Sequence, residues 1–264
     1  MKPGVRSGLI ALLLCWQVAQ GAGPSAPGTT AAPAFAPEKI IQLAKKVEKV
    51  LAGRGARVGI IGRIGRPASE MPEGMRYTHA AFAVYSEITT ADGRQLPGYA
   101  TFNEYQGEQQ PDTSSLVQDY PVDFYASVAE LEAGVIIPSA ELQRRLLAVI
   151  TSPIYPSLHE PRYSAIANPY TLGRQNCTEF VLDIIHAAIY QTGDIEVIKA
   201  NERAFFVAQT VNVNPVKLLL GSFFSAEISM SDQPSLPPVT ATFETLGRYL
   251  QQYDRAEVFY LSPD

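Results

Sequence analysis

Two β-rich runs around one turn constrain this chain most. "RYTHAAFAVYSE" (Arg76–Glu87) and "YATFNEYQ" (Tyr99–Gln106) are rich in aromatic and small residues, and "ADGRQLPG" between them carries an Asp-Gly turn signal. The runs are therefore read as antiparallel neighbours. Short apolar runs elsewhere, "ARVGIIGRIG" (Ala56–Gly65), "AGVIIPS" (Ala133–Ser139) and "AEVFYLS" near the C-terminus, add further strands.

Helices bracket these strands. From Pro37 to about Leu51, the residues Ile40, Ile41, Ala44, Val47, Val50 and Leu51 recur at near-helical spacing, with Pro37 suited to a helix start and Gly53–Gly55 to its end. "SAELQRRLLAVI" reads as a helix capped by Ser139. "NCTEFVLDIIHAAIY" (Asn176–Tyr190) and "TATFETLGRYLQQY" are two more. No repeats occur. Helices around an antiparallel meander define an α+β class, with one domain over residues 37–264. A chain of 264 residues that is 46% hydrophobic has ample core for it.

The first residues read differently. Lys2 and Arg6 precede an apolar run from about Leu9 to Ala19, then small residues, the order of a secretory signal over 1–22. The run is about half of the ~20 residues a membrane span needs, so no transmembrane span is expected in the mature protein. Leu14 is bulky where a lipoprotein signal places a small residue before its cysteine, which argues against anchoring through Cys15. Residues 23–36 are Pro-, Ala- and Gly-rich and read as a tether. The expected location is periplasmic or secreted. A net charge of −5 without a basic stripe excludes a nucleic-acid partner.

Loss of the signal leaves Cys177 as the one cysteine, with no internal disulfide in an oxidising compartment. Asn176 is a good N-cap and Glu179 stands three residues on, a capping-box pattern. Cys177 then lies in the first helical turn, where free N–H groups and the dipole favour a thiolate. The same N–H groups suit an oxyanion. The plainer reading is a small core residue one turn before Phe180 and Val181.

A nucleophilic thiol needs a base. His186 is nine positions along the same helix, on its opposite side at ~100° per residue. His159 lies in a Pro-rich loop. His79 stands in a strand whose Ala80, Ala81 and Ala83 leave room for a helix. As orienting group, alternation offers Asn103 with Thr101 on one face of the next strand and Glu104 on the other. Asn103 accepts an imidazole N–H without burying a charge, and Glu104 is the fallback. Three scattered histidines and one mature cysteine give no metal-ligand spacing. The glycines of "GRGARVGIIGRIGR" flank or lie within a strand, so no nucleotide cofactor is implied.

A histidine strand, a polar residue on the next strand, then cysteine at a helix start resembles the circularly permuted branch of the NlpC-type papain-like superfamily. That branch includes the lecithin:retinol acyltransferase-like enzymes. "THAAFAVY" and "NCTEFV" are the matching motifs. Together with "RVGIIGRIG", "FNEYQG", "VDFYAS", "IIPSAELQRRLLAVI" and "LHEPRYSAIANPY", they also look like an exported bacterial family catalogued as a domain of unknown function. The resemblance implies a papain-like α+β fold with the cysteine helix on an antiparallel sheet. It implies Cys177 as nucleophile and His79 as base, acting on peptidoglycan stem peptides, other amides or acyl esters.

Two functions follow. The first is an exported cysteine hydrolase or acyltransferase. The second is a non-catalytic envelope binding or assembly protein, with Tyr155, Tyr163 and Tyr170 offered as a recognition surface. A sulfur within about 4 Å of a His79 nitrogen, opening to a cleft, favours the first. A thiol sealed among apolar side chains favours the second.

Overall fold

The structure is a computed structural model in which residues 34–212 and 228–263 are described. The expected signal segment (1–22) and the tether up to residue 33 lie outside the described residues.

Six strands form one antiparallel sheet: β1 (Val58–Arg63), β2 (His79–Thr89), β3 (Gln95–Gln106), β4 (Ser114–Asp119), β5 (Ala133–Ile137) and β8 (Glu257–Leu261). Their order across the sheet is β4-β3-β2-β1-β5-β8. The hairpin read from "ADGRQLPG" is β2–β3, with Gly93 at φ +81° in its turn. There a side chain would be strained. A two-residue pair, β6 (Gln209–Thr210) and β7 (Val239–Thr240), stands apart.

Both faces of the sheet are covered. On one lie α1 (Pro37–Gly53) and the single turn α2 (Pro121–Phe124), packed on Ile61, Ala81, Ala83, Tyr99 and Val135. On the other lie α3 (Ala140–Ile150), α5 (Cys177–Tyr190) and α7 (Phe243–Tyr253), packed on Ile60, Ala80, Phe82, Val84 and Ile136. The turn α4 (Ile154–Ser157) and helix α6 (Ile195–Phe205) flank α5. Successive strand residues point to opposite faces, so a strand buried on both sides reads as unbroken apolar sequence. That is why "AAFAV" in β2 carries no polar alternation. It also divides the alanines expected to admit a helix. Ala80 faces α5, while Ala81 and Ala83 face α1.

Close approach fixes α7. Gly62 on β1 and Gly134 on β5 are cross-strand partners, and the Phe243 ring lies over both. A Cβ at Gly62 would meet that ring at 2.7 Å. Glycine is needed there for space, not for a turn.

Helix α5 is buried continuously from Cys177 to Ala188, although it carries Glu179, Asp183 and His186. Buried carboxylates need a partner, because desolvation of a charge costs several kcal/mol. Lys199 of α6 supplies it: Nζ lies 2.8 Å from Glu179, 2.6 Å from Asp183 and 3.0 Å from Glu202. Among the described residues no helix is long and apolar enough to cross a membrane.

Candidate active site

Asn176 is the N-cap of α5. Its Oδ1 accepts from the N–H of Thr178 at 3.1 Å and of Glu179 at 3.0 Å, and its Nδ2 donates to Thr240 Oγ1 at 3.1 Å. The capping box read from the sequence does not close, because the Glu179 side chain is drawn to Lys199 instead. The cap alone places Cys177 as the first helical residue.

There the thiol is buried, 3% exposed, and donates to the Thr78 carbonyl at 3.9 Å. Burial pushes its pKa up to about 12; the Ala80 and Thr178 N–H groups and Arg63 pull the other way, while Glu104 adds to the rise. The depressed pKa expected from the helix start is thus reversed. Full burial moves a titrating group by up to 3–5 pH units, whereas a helix dipole contributes about 0.3–1 kcal/mol, under one unit. At pH 8, native Cys177 should therefore react with iodoacetamide at least about a hundredfold more slowly than in guanidinium-unfolded protein. Equal rates would refute the burial; slow alkylation of the native protein favours a non-catalytic scaffold, whereas a working thiol hydrolase would be alkylated well below pH 8.

His79 opens β2 and turns to the face of α2. Its ring stacks on Tyr105, with centroids 5.0 Å apart and planes within 3°, and leans on Phe124 at 5.4 Å. Nε2 bonds Asn103 Oδ1 at 3.3 Å, the partner expected from strand alternation. Nδ1 forms no hydrogen bond among the described residues. Burial and the nearby Arg63 hold His79 well below the usual histidine range, so the imidazole is neutral at pH 7.

Asn103 is held in turn. Its Nδ2 donates to Asp119 Oδ1 at 2.7 Å; Tyr105 donates to Asp119 Oδ2 at 2.8 Å, and Thr101 also donates to this carboxyl. Burial brings Asp119 up to about 7. Asp119 sits on β4 opposite Thr101. Arg63, the cross-strand partner of His79, completes the set: it lies over the rings of Tyr105 and Phe124 and donates to the Phe124 carbonyl at 2.6 Å.

Glu104 lies on the other face with α5. It is fully buried, and burial pushes it up to about 8; contact with Ser114 works against the rise and Asp183 adds to it. The Ser114 Oγ also lies 2.9 Å from His159 Nε2. The folded state thus holds a Glu104 proton that the unfolded chain releases near pH 4.3, and this group's contribution to stability falls as pH rises from about 4.5 to 8. Glu104→Gln should flatten the decline in stability between pH 6.5 and 8, read by urea melts. An unchanged slope would mean that Glu104 does not titrate there.

The structure thus joins His79 to Asn103 and places Glu104 away from both. Cys177 and His79 approach β2 from opposite faces at the end that pairs with β1 alone: backbone pairing with β3 stops at Phe82–Phe102, short of His79. The sulfur touches the strand one residue from His79, and no thiol–imidazole hydrogen bond is formed among the described residues. His186 stacks on Tyr249 at 5.1 Å, away from the site. Tyr155 and Tyr170 pack internally, Tyr155 against Phe180 and Tyr170 through its hydroxyl to the Phe206 carbonyl. Beside His79 opens a cavity of about 320 Å³ whose lining includes Arg63, Thr78, Tyr163, Ile166 and Thr178. Among the described residues no three histidine, cysteine or acidic side chains group so as to hold a metal ion.

Fold and site together define an α+β protein with one thiol among the described residues, at a capped helix start, and a buried, oriented histidine at the end of the adjoining strand. Residues 50–250 match the family described as "Uncharacterized protein conserved in bacteria (DUF2145)", and the chain belongs to that family. No curated protein and no solved structure matches it.

Proposed function

We propose that this protein is an exported thiol hydrolase or acyltransferase of permuted papain-like architecture, acting on an amide or ester, with peptidoglycan stem peptides among the candidate substrates. The observation that carries this reading is the bond from His79 Nε2 to Asn103, buttressed by Asp119, which leaves Nδ1 unbonded at the strand end where the thiol lies. A neutral imidazole and a protonated thiol are the starting pair for general-base catalysis. Nδ1 takes the thiol proton as the sulfur attacks the carbonyl carbon. The tetrahedral oxyanion collapses, and His79 returns the proton to the departing amine or alcohol. Water then releases the acyl group by the same route in reverse, or an acceptor nucleophile takes it. The N–H groups at the start of α5 suit the oxyanion. For this chemistry the sulfur must leave the Thr78 carbonyl and reach Nδ1.

A specific observation favours a second reading. The thiol is sealed and high in pKa, and its hydrogen bond goes to a backbone carbonyl instead of the imidazole. On that reading the scaffold binds or assembles without catalysis. Wild type and Cys177→Ala, incubated with peptidoglycan, model amides and model esters and read by mass spectrometry, separate the two. The enzyme reading expects products from wild type alone, and identical profiles would remove it for those substrates.

A further inference from the structure

Arg63 is an unusual cation. It is 3% exposed, its guanidinium is sandwiched at 5.5 Å from the Tyr105 ring centroid and 5.2 Å from that of Phe124, and its hydrogen bond goes to a backbone carbonyl. Its Nε–H has no partner among the described residues. No carboxylate lies within ion-pair distance of it among the described residues, although buried charges are ordinarily paired. The carboxyl in electrostatic reach, Asp119, is already shared by Thr101, Asn103 and Tyr105.

Arg63 also lines the cavity beside His79. The rest of that lining includes Met71, Met75, Ile166, Val211 and Ile228, an apolar wall. Ile166 and Val211 are themselves buried, with Ile228 packed on them. A volume of about 320 Å³ is at the lower end of the small-ligand range. The lining also carries the polar side chains of Gln106, Ser127 and Thr178 and, at exposed positions, Arg66 and Glu70. The chamber thus offers one buried cation beside an apolar wall.

We infer that this cavity is a binding site for a small amphiphile carrying one anionic group, a carboxylate or a phosphate ester. The anion pairs with Arg63 and the apolar remainder lies against Met71, Met75 and Ile166. Guanidinium geometry suits both oxyanions, since each presents paired oxygens to its N–H groups. The site goes beyond the hydrolase reading and stands without it.

Titration calorimetry with decanoate, decyl phosphate and uncharged decanol tests the inference on the purified protein. Wild type should bind at least one of the two anions and bind it more tightly than decanol. Arg63→Met should weaken anion binding about tenfold or more and leave decanol binding unchanged, with Arg63→Lys between wild type and Arg63→Met. Ile166→Trp, which narrows the chamber, should weaken binding of all three. The inference is overturned if wild type binds neither anion, if it binds decanol as tightly, or if Ile166→Trp binds as wild type does. Those readings hold even where Arg63→Met fails to fold, which its circular dichroism reports. Cys177→Ala should bind the anion as wild type does, so loss of the hydrolase reading and loss of this site are separate results.

Discussion

His79→Ala should lower the rate of product formation by roughly a hundred- to ten-thousandfold per folded molecule, because a positioned general base contributes on that scale; it should also lower the thermal midpoint, because the deleted ring is buried against Tyr105 and Phe124. On the proposed mechanism the loss belongs to the imidazole, whose Nδ1 would accept the thiol proton. Asn103→Ala should act through it. That variant frees the ring from its 3.3 Å bond and leaves Asp119 without its Nδ2 donor, so the turnover number should fall with little change in KM. Asn103→Asp tests orientation against charge: it keeps an acceptor but sets a second carboxyl beside Asp119. Turnover of His79→Ala equal to wild type would remove His79 from the mechanism whatever became of Cys177.

The largest expected effect on stability lies at Lys199. This residue is 2% exposed and compensates Glu179, Asp183 and Glu202, whose oxygens lie within 2.6–3.0 Å of Nζ. Lys199→Met keeps the aliphatic stem and deletes the charge. Leaving buried carboxylates uncompensated costs about 3–5 kcal/mol. The direction with pH follows from the partners. Burial already raises Glu179 and Glu202 well above the ordinary carboxylate range, and removing the lysine raises them further. A carboxyl whose folded pKa is raised loses stability as pH climbs from its unfolded value towards its folded one. The deficit of Lys199→Met should therefore grow once pH passes the wild-type folded values of these carboxyls, as read from urea midpoints. A deficit independent of pH would mean that the lysine acts by packing alone. The same cluster holds the first two turns of α5, so Lys199→Met also tests whether α6 positions the cysteine.

Much of the frame was legible in the sequence because it rests on local signals. The Asp-Gly turn, the Ser139 and Asn176 caps and the stripe of Ile40, Ala44, Val47 and Leu51 each report a backbone preference within a few residues. They recover the β2–β3 hairpin, α1, α3 and the start of α5. Strand alternation also placed Asn103 and Glu104 on opposite faces, and His79 bonds the first. Strand β4 was not legible. "SSLVQD" is a polar edge strand recruited by tertiary pairing, and with it Asp119 escaped notice. Glu179 looked like a local cap but answers to Lys199, twenty positions on. The thiol pKa was misjudged because helix position is local, whereas desolvation depends on everything packed around the sulfur. The alanines of β2 suggested a helix above His79, yet which face each alanine occupies depends on the strand's register in the sheet.

The account stands on attack by Cys177 assisted by His79. Its most direct test is the intact mass of the protein after brief exposure to a p-nitrophenyl acyl ester at pH 7, for wild type, Cys177→Ala and His79→Ala, with the modified residue located by fragmentation. The account predicts one acyl group on Cys177 of wild type, formed at least about a hundredfold faster than in His79→Ala and absent from Cys177→Ala. Acylation of Cys177 at the same rate in wild type and His79→Ala, or no acylation of Cys177 at all, would contradict it.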